Sequence, residues 1–211
     1  MSPDADHHGG WHLVVPVKRL ADAKSRVLLA PGERGSLALA MLDDTLAAAL
    51  PVVTEVAVVT RDPKAAALAR AAGADVVDDP SGGLNTAVHA GWRAAASGVR
   101  RAALTGDLPA LAPSELRSAL AAAAEHPYAF VPDRARTGTV LVTSMRTQDR
   151  SHFGADSRRA HRRAGAVELA GDWPGLRCDV DTLDDLAVAA ALGVGPRTTA
   201  LLSAAELTRA S

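Results

Sequence analysis

Cysteine occurs once in these 211 residues, as Cys178, so no disulfide can close within the chain and no cysteine-built zinc cluster is available. Aromatic residues make up only 3%, too few for a stacking platform on which single-stranded nucleic acid could lie. Net charge is scarce too: a formal value of -1 excludes a protein that grips nucleic acid by bulk positive charge. No apolar run reaches membrane-spanning length once its charges are counted. The first ten residues, MSPDADHHGG, lack the basic start and apolar run of a secretory signal. These absences lead to the expectation of a cytoplasmic protein that binds a small molecule, with no nucleic acid and no membrane among its partners.

Among the charged residues lysine is rarest, three against twenty arginines. Two of the three, Lys18 and Lys24, fall in one stretch, VPVKRLADAKSR, beside Arg19 and Arg26. Lysine is a compact, rotatable point charge where arginine is a planar fork, and a point charge suits a phosphate oxygen in a cramped pocket. A solvated basic turn would read the same way.

The hydrophobic fraction of 48% and the length fit one globular domain. It is expected over residues 11–211, behind a disordered leader at 1–10. Apolar runs bounded by turn residues alternate with Ala/Leu-rich segments of helical period, which predicts an α/β fold with a mostly parallel sheet. Strands are expected at 11–17, 54–60, 74–79 and 100–106. Helices are expected at 33–49, with Leu39, Leu42 and Leu46 on one stripe, at 63–72, after the glycines of SGGLN, and from Pro113. The rhythm then changes. Two strands with little between them, 128–133 and 137–144, predict antiparallel pairing in the C-terminal half, followed by a helix near 155–164. Short strands are expected at 166–170 and 175–181, and a helix capped by Thr182 and stopped by Gly193.

Ligands of open α/β sheets sit beyond the carboxyl ends of the strands. Four such ends are unusual here: the VPVKRLADAKSR stretch, the GGLN turn, Asp107 in TGDLPAL, and Asp179 with Asp181 in CDVDT. In an extended segment, i and i+2 point to the same side. Two carboxylates on one side, with Asp107 converging, would repel each other unless a cation lay between them. Magnesium suits such a set, because it takes one or two carboxylates and completes its shell with water and substrate phosphates. Asp179 and Asp181 could equally be caps of the helix that follows. The glycines of SGGLN could let a nucleotide approach the backbone, with Asn85 and Thr86 offering hydrogen bonds, or could simply open a helix. HFGADSRRAH puts Gly154 and Ser157 at a helix start with Arg158, Arg159 and His161 behind, either an anion site or a solvated basic face. His161 reads as structural. No G-x-x-x-x-G-K-[ST] or G-x-G-x-x-G motif is present.

Taken in order, VPVKRLADAKSR, GGLN, TGDLPAL, TGTVLV, FGADS and DVDTLDDL resemble the small guanylyltransferases of coenzyme F-420 biosynthesis, which act on phosphoenolpyruvate or 2-phospho-L-lactate. These lie within the molybdopterin-guanylyltransferase-like nucleotidyltransferases. The resemblance spans about Trp11 to Gly193 and implies a single-domain Rossmann-like nucleotidyltransferase fold of GT-A-like type. It implies GTP and a small phosphorylated carboxylic acid as substrates, and Mg2+ held by Asp107, Asp179 and Asp181. It also implies that Lys18, Lys24 and Arg26 grip the triphosphate, that Lys18, Lys24 and Asp107 serve catalysis, that Asn85 lies near the guanosine, and that Thr139, Gly154 and Ser157 bind the acceptor. The wider group's glycine-rich first loop is replaced here by VPVKRLADAKSR, which shifts weight from backbone to side chains. A nucleotidyltransferase acting on a sugar phosphate or molybdopterin, and a non-catalytic nucleotide-binding module, stay open as alternatives. So do the choice between the two acids and the oligomeric state, a homodimer included.

Overall fold

The run WHLVVPV becomes strand β1 (Trp11–Val17) because both of its faces are covered. Leu13 and Val15 enter the core on one side of the sheet and Val14 enters it on the other. Only a strand buried on both faces sustains so unbroken an apolar sequence, the habit of parallel sheets. The structure is a computed structural model that describes residues 10–20, 31–96 and 98–209. The expected leader at 1–10, Gly10 apart, lies outside the described residues, as do Lys24 and Arg26.

Along the chain β1 is followed by α1 (Pro31–Ala49), β2 (Glu55–Thr60), α2 (Pro63–Ala72), β3 (Asp75–Asp78), α3 (Leu84–Ala94), β4 (Arg100–Leu104) and α4 (Pro113–Ala123). Then come β5 (Tyr128–Pro132), β6 (Thr139–Ser144), α5 (Ser157–Arg163), β7 (Val167–Glu168), α6 (Leu183–Leu192) and α7 (Pro196–Arg209). The strands form one sheet in the order β3-β2-β1-β4-β6-β5-β7. β1 runs parallel to β2 and β4, and β2 to β3. β6 runs antiparallel to both β4 and β5, and β7 returns parallel to β5. The α/β expectation and its antiparallel C-terminal portion therefore hold.

One face is covered by α1, α2 and α4 through residues such as Leu42, Leu46, Ala65 and Leu116. The other is covered by α3, with Ala87, Val88 and Trp92, together with Phe153 and Ala166 from the segment around α5. Leu42 and Leu46 of the anticipated stripe are buried, and Leu39 packs partly buried against them. At Gly91 of α3 a Cβ would stand 2.6 Å from both Val14 methyl groups, so glycine lets this helix settle directly on β1. A third core group joins α1 to α6 and α7, with Leu37, Met41, Cys178, Val180 and Leu186 buried between them.

One expectation is corrected. Residues 175–181 are not a strand but a series of turns and irregular chain. Glu115 of α4 accepts the N–H groups of Gly175 and Leu176 at 3.1 and 2.8 Å, the Cys178 and Val180 N–H groups donate to the carbonyls of Gly175 and Asp107, and the Arg177 carbonyl accepts from the Arg134 N–H, so this backbone finds partners without a strand ladder. The final helix α7 also went unanticipated. β1 leads on to β2 and β3 on one side while β4 lies on the other, so the order reverses between β1 and β4. That reversal is where open sheets of this kind leave a crevice.

Candidate active site

A cleft of about 580 Å³ opens at that point, beyond the carboxyl ends of β1, β4 and β5. β1 delivers Pro16, Val17 and the exposed Lys18 to it, and β4 delivers Thr105, Gly106 and Asp107. The Asp107 turn is clamped from two sides. Its carbonyl accepts from the Val180 N–H at 3.1 Å, and the next residue, Leu108, donates its N–H to the buried Thr45 hydroxyl of α1 at 3.1 Å. The first clamp joins Asp107 directly to the segment that carries Asp179 and Asp181, which line the same cleft. Neither of those caps α6. Thr182 accepts from the Asp185 N–H, and the Asp185 carboxylate accepts from the Thr182 N–H, a reciprocal pair that closes the helix start without them.

The sequence reading missed a fourth carboxylate. Asp133 follows β5 and faces the cleft, while its two oxygens accept from the N–H groups of Thr137 and Gly138 at 2.9 and 2.8 Å. It thus closes the turn that delivers Thr139. The signal was an apolar strand ending in an acid, YAFVPD, the same pattern that singled out Asp107. Burial pushes the Asp179 carboxyl up to about 8, and the charges of Asp107, Asp133 and Asp181 push in the same direction. The Asp179 carboxyl therefore senses the other three across the cleft. Among the described residues, no three His, Cys, Asp or Glu side chains stand close enough to enclose a metal ion by themselves. Hard oxygen donors with room between them suit a cation whose shell is completed by water and phosphate oxygens.

The opposite wall comes from Thr139, at the start of β6, and from Phe153, Gly154, Asp156 and Ser157. Gly154 has φ +135 and Asp156 φ 55, so the chain turns sharply before α5. Thr139 and Ser157 are almost fully buried, and His161 lies behind both. The expected acceptor residues Thr139, Gly154 and Ser157 are thus brought together.

Other expected residues have different positions. Asn85 is not among the residues lining the cleft; its amide donates to the Phe153 carbonyl at 2.9 Å and accepts the Phe153 N–H at 2.7 Å. It braces the acceptor wall, and its neighbour Leu84 is the α3 residue that reaches the cleft. The glycines before α3 serve a backbone with positive φ at three successive residues, Ser81, Gly82 and Gly83. Arg158 and Arg162 turn away toward Glu168 of β7, joined by Arg136, around a separate hollow of about 390 Å³. Arg159 pairs loosely with Asp156 at 3.9 Å. Asp62 contributes an unforeseen anchor: it caps α2 and also accepts the Leu20 N–H at 3.0 Å, fixing the chain just beyond Lys18. Burial raises its pKa, but the N–H donors of Leu20, Ala65 and Lys64 outweigh that and hold the carboxyl below its ordinary range.

Residues 18–170 match the MobA-like NTP transferase domain. The chain is 51% identical over 205 residues to the phosphoenolpyruvate guanylyltransferase of Geodermatophilus obscurus, an alignment that covers 92% of this chain and 95% of that one. It is 53% identical over 201 residues to the phosphoenolpyruvate guanylyltransferase of Streptomyces coelicolor, covering 90% and 95%. Among solved structures, a Desulfovibrio desulfuricans protein assigned as a nucleotide-diphospho-sugar transferase superposes with a TM-score of 0.72 over 93% of this chain and 95% of its own, at 19% identity. The fold, the cleft at the strand-order reversal and the extent of these matches agree: the chain belongs to the MobA-like NTP transferase family of nucleotidyltransferases.

Proposed function

We propose that this enzyme transfers a guanylyl group from GTP to the phosphate of phosphoenolpyruvate, releasing pyrophosphate, in the biosynthesis of coenzyme F-420. The observation that carries the reading is the pairing, in one cleft, of an acidic wall from Asp107, Asp133, Asp179 and Asp181 with a compact polar wall from Thr139, Gly154 and Ser157. The relatives named above favour phosphoenolpyruvate over 2-phospholactate.

In the reaction an oxygen of the acceptor's phosphate attacks the α-phosphorus of GTP, a phosphorus–oxygen bond forms, and the bond to the leaving pyrophosphate breaks. That phosphate is already ionised, so no general base is needed. Lys18, at the mouth of β1, lies against the triphosphate and stabilises charge on the departing pyrophosphate, with Lys24 and Arg26 assigned to the same phosphates. One well-placed donor of this kind is worth about 3 kcal/mol in a transition state. Thr139, Gly154 and Ser157 hold the acceptor so that its phosphate faces the α-phosphorus in line, which removes orientational freedom before the reaction begins. Asn85 supports the nucleotide indirectly, through the Phe153 wall.

Both substrates are polyanions, and among the described lining residues Lys18 is the one cation. The acidic wall would repel such substrates on its own, which is why the donor set fits a divalent cation. Asp107, Asp179 and Asp181 are assigned to Mg2+, with Asp133 beside them. When bound, that ion neutralises phosphate charge and holds the two reactants together. The test is incubation with mixed nucleoside triphosphates and a panel of phosphorylated acids, followed by pyrophosphate measurement and mass spectrometry. A guanosine diphosphate-linked enolpyruvyl product is expected. Turnover only with a sugar phosphate, or nucleotide binding with no turnover at all, would refute the reading.

A further inference from the structure

The acceptor wall contains a buried histidine that the chemistry above does not use. His161 is 0% exposed, on α5, with its ring stacked on Phe130 at 5.4 Å and met edge-on by Phe153, Tyr128 and His152. Two backbone groups decide which of its nitrogens carries hydrogen. Nε2 lies 3.0 Å from the backbone nitrogen of His152, a group that can only donate, so Nε2 must present its lone pair. Nδ1 lies 2.9 Å from the Ser157 carbonyl, which can only accept, so Nδ1 must carry the hydrogen. Protonating the ring would set an Nε2 hydrogen against the His152 N–H, donor facing donor. In agreement, burial and then the nearby His152 push the His161 pKa down to about 4.

This tautomer determines how Thr139 can bond. Its hydroxyl oxygen is 3.0 Å from Nδ1. A nitrogen that already carries hydrogen cannot accept from Thr139, so the hydroxyl can offer only a lone pair on that side. Its own proton is left to point elsewhere, and Thr139 lines the cleft. We propose that His161 is a positioning residue that makes Thr139 a one-way hydrogen-bond donor toward the acceptor, and so selects an anionic oxygen, carboxylate or phosphate, at that point. This rests on the assignment of Thr139 to the acceptor. It adds a requirement that the assignment alone does not make: the selectivity is set from behind, by a residue the acceptor never touches.

Two measurements test it. Long-range proton–nitrogen NMR of the wild-type protein at neutral pH should show hydrogen on Nδ1 of His161 and none on Nε2; the reverse tautomer or a charged ring would overturn the proposal. Kinetics should show that Thr139→Val raises KM for the acid roughly ten- to hundredfold, the scale of a hydrogen bond to a charged group, with KM for GTP unchanged. His161→Phe should do the same, and His161→Asn, which restores an N–H near the Nδ1 position, should recover most of the loss. Because His161 acts through Thr139, the double variant Thr139→Val with His161→Phe should be no worse than the worse single variant. Multiplying effects would assign His161 to mere packing and overturn the proposal, as would an unmoved KM for the acid in Thr139→Val. Wild-type protein that turns over no phosphorylated acid would overturn the parent reading and this one with it. Normal turnover with an unmoved KM overturns this one alone.

Discussion

The turn that presents Asp107 is clamped through its backbone. The Thr45 hydroxyl donates to the Met41 carbonyl at 2.7 Å within α1 and accepts the Leu108 N–H at 3.1 Å, so the helix fixes the turn through one buried oxygen. Two substitutions at this turn should therefore act differently. Asp107→Asn keeps the shape of the side chain and removes its charge, so thermal stability should be retained while pyrophosphate release falls on the order of a hundred- to a thousandfold. A variant releasing pyrophosphate at the wild-type rate would remove Asp107 from the reaction. Thr45→Val keeps the volume and leaves the Leu108 N–H buried without its acceptor. It should cost about 1–3 kcal/mol of stability, read by denaturant unfolding, and also slow turnover by displacing a carboxylate it never touches. If Thr45→Val lost stability with turnover untouched, the turn would not need that clamp to place Asp107.

At the scale of elements, the helix α7 shows where a sequence stops being readable. Its start, GVGPRTT, offers no local Ser, Asp or Asn cap. The cap comes from Asp44 of α1, whose carboxylate accepts the N–H groups of Arg197 and Thr198 at 3.0 and 2.8 Å, across 153 and 154 residues of chain. Periodicity within a window cannot register a cap supplied from another helix. By contrast α6 carries its own signals, Thr182 and Asp185, and was legible to within a residue. The strands β1, β2 and β4 were legible because each must be apolar on both faces. The segment 175–181 misled because its apolar alternation fills core positions from turns, with Leu176, Cys178 and Val180 all buried. In the site, acids at strand ends announced Asp107, whereas the bracing role of Asn85 depends on Phe153, 68 residues away. Asp44→Ala should destabilise the protein by about 1–2 kcal/mol, the usual worth of a cap, and lower the melting temperature by a few degrees. Since none of the described α7 residues lines the cleft, pyrophosphate release below the melting transition should match wild type. A large loss of turnover would mean that α7 shapes the site through α1.

The cleft belongs to the whole molecule, because no half of the chain contains it. The parallel strands bring Lys18 and Asp107, the antiparallel portion brings Asp133 and Thr139, and the return of the chain toward α6 adds Asp179 and Asp181. Folding therefore forces like charges together, and the cost can be read as a pH dependence of stability. Asp179 has its pKa raised to about 8 in the folded protein, first by burial and then by Asp107, Asp133 and Asp181, against about 3.9 when unfolded. Between those values the folded chain binds a proton that the unfolded chain does not, so stability falls as pH rises toward 8. His161, lowered to about 4 from about 6.5, acts in the opposite sense, its contribution growing with pH only up to about 6.5. Above that value Asp179 is left to set the slope, at most about 1.4 kcal/mol per pH unit. In the presence of a chelator, the melting temperature of the wild-type protein should fall between about pH 6.5 and 8, and Asp179→Asn should flatten the decline. Saturating magnesium should remove it too, because the cation takes the place of the proton and stabilises the folded state more strongly the higher the pH. A wild-type profile already flat in chelator, or one that Asp179→Asn leaves sloping, would mean that these carboxylates do not confront one another across the cleft and that no cation is needed to reconcile them.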